Sequence, residues 1–251
     1  MRLAILAALA LMATTATAQR EPHNYLTHDN MPNSVNYLPA PPDTSDARFF
    51  NDWLVYTRGL DTRPTERGAQ AKADAEYSSE YIAAYYSKAI GLTISPDSMP
   101  DTYYLVACVA RTGGDCTWHA KRHYMRRRPF MVMHQGTMTP DHEDGLSRNG
   151  SYPSGHTAMG WSVALVLAEL FPEAQDSILS LGYEYGQSRT IVGAHWQSDV
   201  DAGRVVGAAA VARMHASSDF QSDLAAARAE IAKKTGIAVS KPAVKNRKRM
   251  R

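Results

Sequence analysis

Apolar residues recur at helical spacing over most of this chain, and alternating β-branched runs are nearly absent. Ser45 stands where it can cap a helix carrying Phe49, Phe50, Trp53, Leu54 and Tyr56. Ala, Tyr and charged residues keep helical spacing from Thr65 to Ile90. Two further helices are expected around Ser98 to Arg111 and Asp115 to Arg127, with Gly113-Gly114 as the turn between them. The stretch from His134 to Tyr152 mixes Gly, Asp, Asn and Ser without periodicity and reads as a loop. Beyond it, Thr157 to Leu170, Ala174 to Ile191, Ser198 to His215 and Ser218 to Lys234 are each apolar on one face. The expected fold class is all-α, a single-domain helical bundle over residues 45–232. Residues 19–44, rich in Pro and Asn, read as an extended arm lying over that core.

The first 18 residues form a separate unit. Arg2, the apolar run Leu3 to Met12 and Ala16-Thr17-Ala18 have the order of a secretory signal peptide, and the run is shorter than the ~20 residues that span a bilayer. The mature protein is therefore expected to be periplasmic or secreted, with no transmembrane segment. Export puts Cys108 and Cys116 in an oxidising compartment, where a disulfide stapling the Gly-Gly turn is the expected use of two cysteines eight apart.

Composition adds one correction to a bland total. With 251 residues, 21% charged and 16 Gly beside 13 Pro, the chain is outside the disordered, collagenous and disulfide-scaffold classes. The formal charge of +2 divides unevenly: eight cations lie between Lys233 and Arg251, and residues 19–232 hold 18 cations against 25 acids, a body charge of −7. The basic segment 233–251 reads as a disordered, solvated tail, or else as a tether for polyanions.

Candidate chemistry sits in three segments. Lys121 and Arg128 are seven apart, almost two helical turns, and Pro129 turns Arg128 out of the helix. Alone, such a charge run is more often a solvated helix face than a nucleic-acid patch. Next, Gly150 to Thr157 leads a turn into an apolar helix, whose first N–H groups and dipole favour an anion beside Ser154, Gly155 and His156. Ser154 is also a simple helix cap in this reading. In the third segment, Arg189 precedes His195 and Asp199, and the four-residue spacing lets the carboxylate orient the imidazole as a nucleophile. His119 and His123 share an i,i+4 face, but the cations around them suit a surface rather than a metal. His134, Asp141, His142, Glu143 and Asp144 make an acidic loop that either lines the pocket or is simply solvated. Two histidines, three cations and a Gly-bearing helix start together suit a tetrahedral oxyanion better than a carbonyl.

These residues carry a family resemblance. Lys121-x6-Arg128-Pro129, Pro153-Ser154-Gly155-His156 and Ser188-Arg189-x5-His195-x3-Asp199 resemble the three-part signature of the type 2 phosphatidic acid phosphatase superfamily, which includes the vanadium haloperoxidases. The octapeptide Gly150 to Thr157 is similar to that of the class A bacterial non-specific acid phosphatases. The resemblance implies that His195 attacks phosphorus, Asp199 fixes its tautomer and His156 protonates the leaving group. Lys121, Arg128, Arg189, Ser154 and Gly155 would then hold the phosphoryl oxygens, with no metal or other cofactor.

The expected function is hydrolysis of many small phosphomonoesters at acid pH, with phosphoryl transfer to alcohols when the intermediate is intercepted. No nucleic acid is required, and homo-oligomer formation stays open. Two alternatives are a vanadate-dependent haloperoxidase and a non-catalytic module binding phosphate or polyanions.

Overall fold

The computed structural model describes residues 20–236. The expected signal peptide and most of the basic tail lie outside the described residues. Lys233 and Lys234 do not belong to a tail: they close the last helix, and Lys234 Nζ donates to the Ser98 carbonyl at 2.9 Å.

Every regular element among the described residues is helical. Helices α1 (Phe49–Thr62), α2 (Glu66–Ala73), α3 (Ser79–Ile90) and α4 (Pro100–Asp115) are followed by short α5 (Trp118–Tyr124), α6 (Pro129–Met133) and α7 (Glu143–Ser147). Then come α8 (Gly155–Leu170), α9 (Gln175–Val192), α10 (Gln197–Met214) and α11 (Ser218–Thr235). Helix α8 is the axis of the molecule. Its Ala158, Val163, Ala164, Val166, Leu167 and Leu170 are buried, because α4, α9 and α10 pack around it. The same packing sets the site, since the start of α8, the end of α9 and the start of α10 meet at one end of the bundle.

Three expectations change at the level of local structure. The run from Thr65 to Ile90 is two helices: α2 ends at buried Asp74, and α3 restarts after Ser78, whose side chain caps it. Asp74 accounts for the break, because its carboxylate accepts hydrogen bonds from Gln70 Nε2 at 2.6 Å, Tyr81 at 2.9 Å and Ser188 at 2.5 Å. Gly113-Gly114 is not a turn but part of α4. Gly113 serves close packing; a Cβ there would lie 2.4 Å from Ser162 Oγ and 3.1 Å from the Ala158 carbonyl oxygen of α8.

The continuous helix also removes the disulfide. Cys108 and Cys116 are both buried free thiols. Eight residues of helix at ~1.5 Å each separate their Cα atoms by about 12 Å, beyond the ~7 Å that a disulfide can bridge. Burial pushes the Cys116 thiol up to about 12, so it stays protonated.

The arm packs into the fold. Tyr25, Leu26, Met31 and Leu38 are buried in the main core. Tyr25 donates to Asp223 at 2.9 Å, and its backbone N–H donates to Thr112 Oγ1 at 3.0 Å. The arm thus ties α4 to α11.

The α4/α8 contact is testable. Gly113→Ala should destabilise the protein by about 1–3 kcal/mol, an overpacking cost, seen as a lower Tm. Adding Ser162→Ala should recover only part of the loss, because Ser162 Cβ lies 2.8 Å from the new methyl position.

Candidate active site

The cations arrive by two routes. Helix α5 ends when Met125 adopts left-handed φ 41°, and Arg128, ahead of Pro129, is extended at φ −78°, ψ 159°. Lys121 comes from the helix and Arg128 from its exit, and both turn inward. Lys121 Nζ donates to the Gly150 carbonyl at 2.6 Å. Arg128 donates to the carbonyls of Leu146 at 2.8 Å and Ala194 at 3.0 Å. Arg189, in the last turn of α9, is 3% exposed. Its Nε and Nη1 are buried and make no hydrogen bond.

Helix α8 begins at the Pro153-Ser154-Gly155-His156 turn. Ser154 Oγ accepts from the Thr157 N–H at 3.2 Å, so its hydroxyl caps the helix. Gly155 and His156 line the cavity. His156 Nε2–H donates to the Asp74 carbonyl at 2.6 Å, and the ring stacks on Tyr185 with centroids 4.4 Å apart. The break after α2 therefore delivers the carbonyl that orients this imidazole, leaving Nδ1 for exchange of a proton.

His195 lies in the turn between α9 and α10, where Gly193 takes φ 86°. Its Nε2 accepts from Arg128 Nη1 at 2.9 Å. Its Nδ1 is 3.4 Å from both Asp199 Oδ2 and Ser151 Oγ. Asp199 Oδ2 also accepts from the Trp196 N–H at 2.8 Å and closely from the Ser151 hydroxyl. The carboxylate thus holds the first turn of α10 as well as facing the imidazole.

Spacing gave no sign of what holds Asp199 itself. Arg126 Nη1 donates to Asp199 Oδ1 at 2.7 Å and its Nη2 donates to Asp52 Oδ2 at 2.7 Å. Asp52 also accepts from the Ser198 N–H at 2.7 Å. Asp52 and Asp199 are 1% and 0% exposed. A single guanidinium therefore clamps two buried carboxylates and joins α1 to α10. The charge run around Arg126 was visible in the sequence, but nothing local marks which of its cations turns inward.

Lys121, Arg128, His156, Arg189, His195 and Gly155 converge on one cavity of about 420 Å³. From the acidic loop, Asp141 and His142 reach its wall, while Glu143 instead accepts from the Thr137 N–H at 2.6 Å. His119 donates to the His28 carbonyl at 3.1 Å and is outside the cavity.

Burial and mutual repulsion dominate the electrostatics. Burial, with Arg128 and Arg189 nearby, depresses the Lys121 ammonium well below its ordinary range. Burial lowers both Arg128 and Arg189 to about 10. His195 is depressed by burial and then by Arg128, Lys121 and Arg189. Burial and Arg189 depress His156, partly opposed by its bond to the Asp74 carbonyl. Buried donors with one sign of charge and unmatched N–H groups suit a small oxyanion.

Comparison with known proteins points the same way. The profile of the PAP2 superfamily matches residues 102–222. A non-specific acid phosphatase of Providencia stuartii is 43% identical over 241 residues, covering 92% of this chain and 97% of that protein. One of Salmonella typhimurium is 44% identical over 206 residues, 82% of each chain. An acid phosphatase of Zymomonas mobilis is 36% identical over 197 residues, covering 78% of this chain and 75% of that protein.

The depressed imidazoles fix a stability trend. In the unfolded chain each histidine takes a proton near its ordinary value of ~6.5, whereas folded His156 and His195 resist it. Their contribution to stability is complete above that value and is lost as pH falls below it. The Tm in acetate or MES should therefore fall from about pH 7 to about pH 5, and His156→Asn should make the decline shallower. An unchanged slope in that variant would contradict the assignment.

Proposed function

The chain belongs to the PAP2 superfamily, among its non-specific acid phosphatases, and from that membership we propose an exported, metal-independent phosphomonoesterase working through a phosphohistidine. The observation that carries the reading is the buried, unpartnered Nε and Nη1 of Arg189, in the cavity that His156 and His195 also line. A phosphoryl group supplies the acceptors these atoms lack.

In this mechanism Lys121, Arg128 and Arg189 bind the nonbridging oxygens, aided by the Gly155 N–H at the start of α8, while the Ser154 N–H is held by the Asp199 carbonyl at 2.9 Å. A phosphoryl oxygen takes over the Arg128 Nη1 donor, which frees the His195 Nε2 lone pair. Nε2 forms a bond to phosphorus as the ester P–O bond breaks and its electron pair leaves with the alkoxide. His156 Nδ1 gives that alkoxide a proton. Asp199 faces Nδ1 of His195 and stabilises the charge that the ring acquires. Water then attacks phosphorus, gives its proton to His156 Nδ1, and the N–P bond breaks. An alcohol in place of water yields a new phosphate ester, the basis for phosphotransferase activity.

Export rests on the Arg2, Leu3 to Met12 and Ala16-Thr17-Ala18 pattern. No helix among the described residues is long and apolar enough to cross a membrane.

The deciding assay is p-nitrophenyl phosphate hydrolysis in excess chelator. Wild type should retain its rate, and His195→Ala should lose roughly three orders of magnitude or more. Metal-dependent turnover, or full activity in His195→Ala, would overturn the reading.

Leaving-group chemistry tests His156 separately. Its depressed pKa limits the protonated acid to low pH, so kcat/KM should fall with rising pH already below the ordinary histidine range. His156→Asn should slow glycerol 2-phosphate far more than p-nitrophenyl phosphate, whose phenolate departs without a proton. Equal losses on both would remove the acid role.

A further inference from the structure

The catalytic cavity adjoins a second hollow of about 460 Å³, and the two share Lys121, Asn149, Gly155 and Met159. This second hollow is walled by the end of α4, by α5 and by Asn24 of the arm. Arg111 and Arg122 line it and are exposed. Neither makes a hydrogen bond or an ion pair among the described residues. The Arg122 guanidinium lies 5.0 Å from the centre of the Trp118 ring, which in turn stacks on His28 at 4.2 Å. Arg122 therefore has a firm platform but no counter-charge.

The acid in this wall, Asp115, is already engaged. Its carboxylate takes Asn24 Nδ2 at 3.1 Å and lies 3.2 Å from His28 Nε2. Asn24 Oδ1 is left buried without a donor, an acceptor suited to a hydroxyl group. The catalytic cavity has the opposite character at its other wall, where Asp141 stands beside Glu143 and Asp144. In a body of charge −7, an anionic leaving group is repelled by Asp141 and the acidic start of α7 and attracted toward Arg111 and Arg122.

We propose that the Arg111/Arg122 hollow is a leaving-group subsite for a second phosphate, so that polyol and sugar bisphosphates are a favoured substrate class. One phosphoryl group sits in the Lys121, Arg128 and Arg189 cradle, and the other lies between Arg111 and Arg122. Asn24 Oδ1 accepts from a hydroxyl of the carbon chain between them. This subsite rests on the phosphomonoesterase reading and names a substrate preference within it. The arm thereby gains a role in substrate binding besides tying α4 to α11.

The test compares fructose 1,6-bisphosphate, fructose 6-phosphate and p-nitrophenyl phosphate in wild type and in Arg111→Gln/Arg122→Gln. Both arginines are exposed, so the double variant should fold normally, which an unchanged Tm would show. It should lose roughly three- to tenfold in kcat/KM on the bisphosphate, mainly through KM, because exposed charge pairs contribute modestly. The two monophosphates should be unaffected, and added salt should shrink the bisphosphate effect. Equal losses on all three substrates, or no loss on the bisphosphate, would overturn the subsite. If wild type hydrolyses none of them, the phosphatase reading fails on its own. Calorimetric binding of fructose 1,6-bisphosphate to wild type and to the double variant then decides the subsite, equal affinities rejecting it.

Discussion

Three buried cations of the same sign, Lys121, Arg128 and Arg189, face one cavity, and the fold has to hold them there against their repulsion. Removing charge from water costs several kcal/mol per ion unless it is matched. Part of the match is internal: the Gly150 carbonyl takes Lys121, and the Leu146 and Ala194 carbonyls take Arg128. Arg189 keeps two donors without acceptors. The close contacts of α8 with α4, α9 and α10 supply the rigidity that keeps these groups from relaxing away. Gly113 at the α4 contact and Gly160, where a Cβ would lie 2.3 Å from the Tyr185 ring, let the helices approach that closely.

The same field sorts the two histidines. Both are depressed by burial and by the neighbouring cations, so both favour the neutral form. That suits His195 as a nucleophile and opposes His156 as an acid. A phosphate dianion beside His156 reverses the local sign and supports its protonation. Acid conditions and substrate charge therefore act in the same direction on one imidazole, which gives a physical reason for activity at acid pH. The Asp52, Arg126 and Asp199 network has a different task. It fixes the Asp199 carboxylate from the side away from His195, so that the imidazole faces an oxygen whose position is already set.

The parts of this architecture that the sequence made legible are those with local spacing. The bundle class and the long helices from α8 to α11 follow from periodicity, and short motifs mark Lys121, Arg128, Gly155, His156, Arg189 and His195, which line one cavity. Ser154 was open between cap and phosphate ligand, and its hydroxyl is a cap here. What escaped depends on contacts distant in sequence. Arg126 and Asp52 meet across 74 positions, and His156 meets the Asp74 carbonyl across 82. The Gly113-Gly114 pair was misread for a related reason: glycine signals both turns and close helix contacts, and only the tertiary neighbour distinguishes them. The expected disulfide failed with that turn, because it needed the chain to reverse between Cys108 and Cys116.

The central claim is that the buried Nε and Nη1 of Arg189 are left without acceptors in order to bind a phosphoryl group, at a cost to the fold. Thermal unfolding of wild type and Arg189→Met, each with and without inorganic phosphate, tests it most directly. The claim requires phosphate to raise the wild-type Tm. The variant should be at least as stable as wild type without phosphate and should respond to phosphate little or not at all. A variant that is less stable without phosphate yet retains the full phosphate response would contradict it.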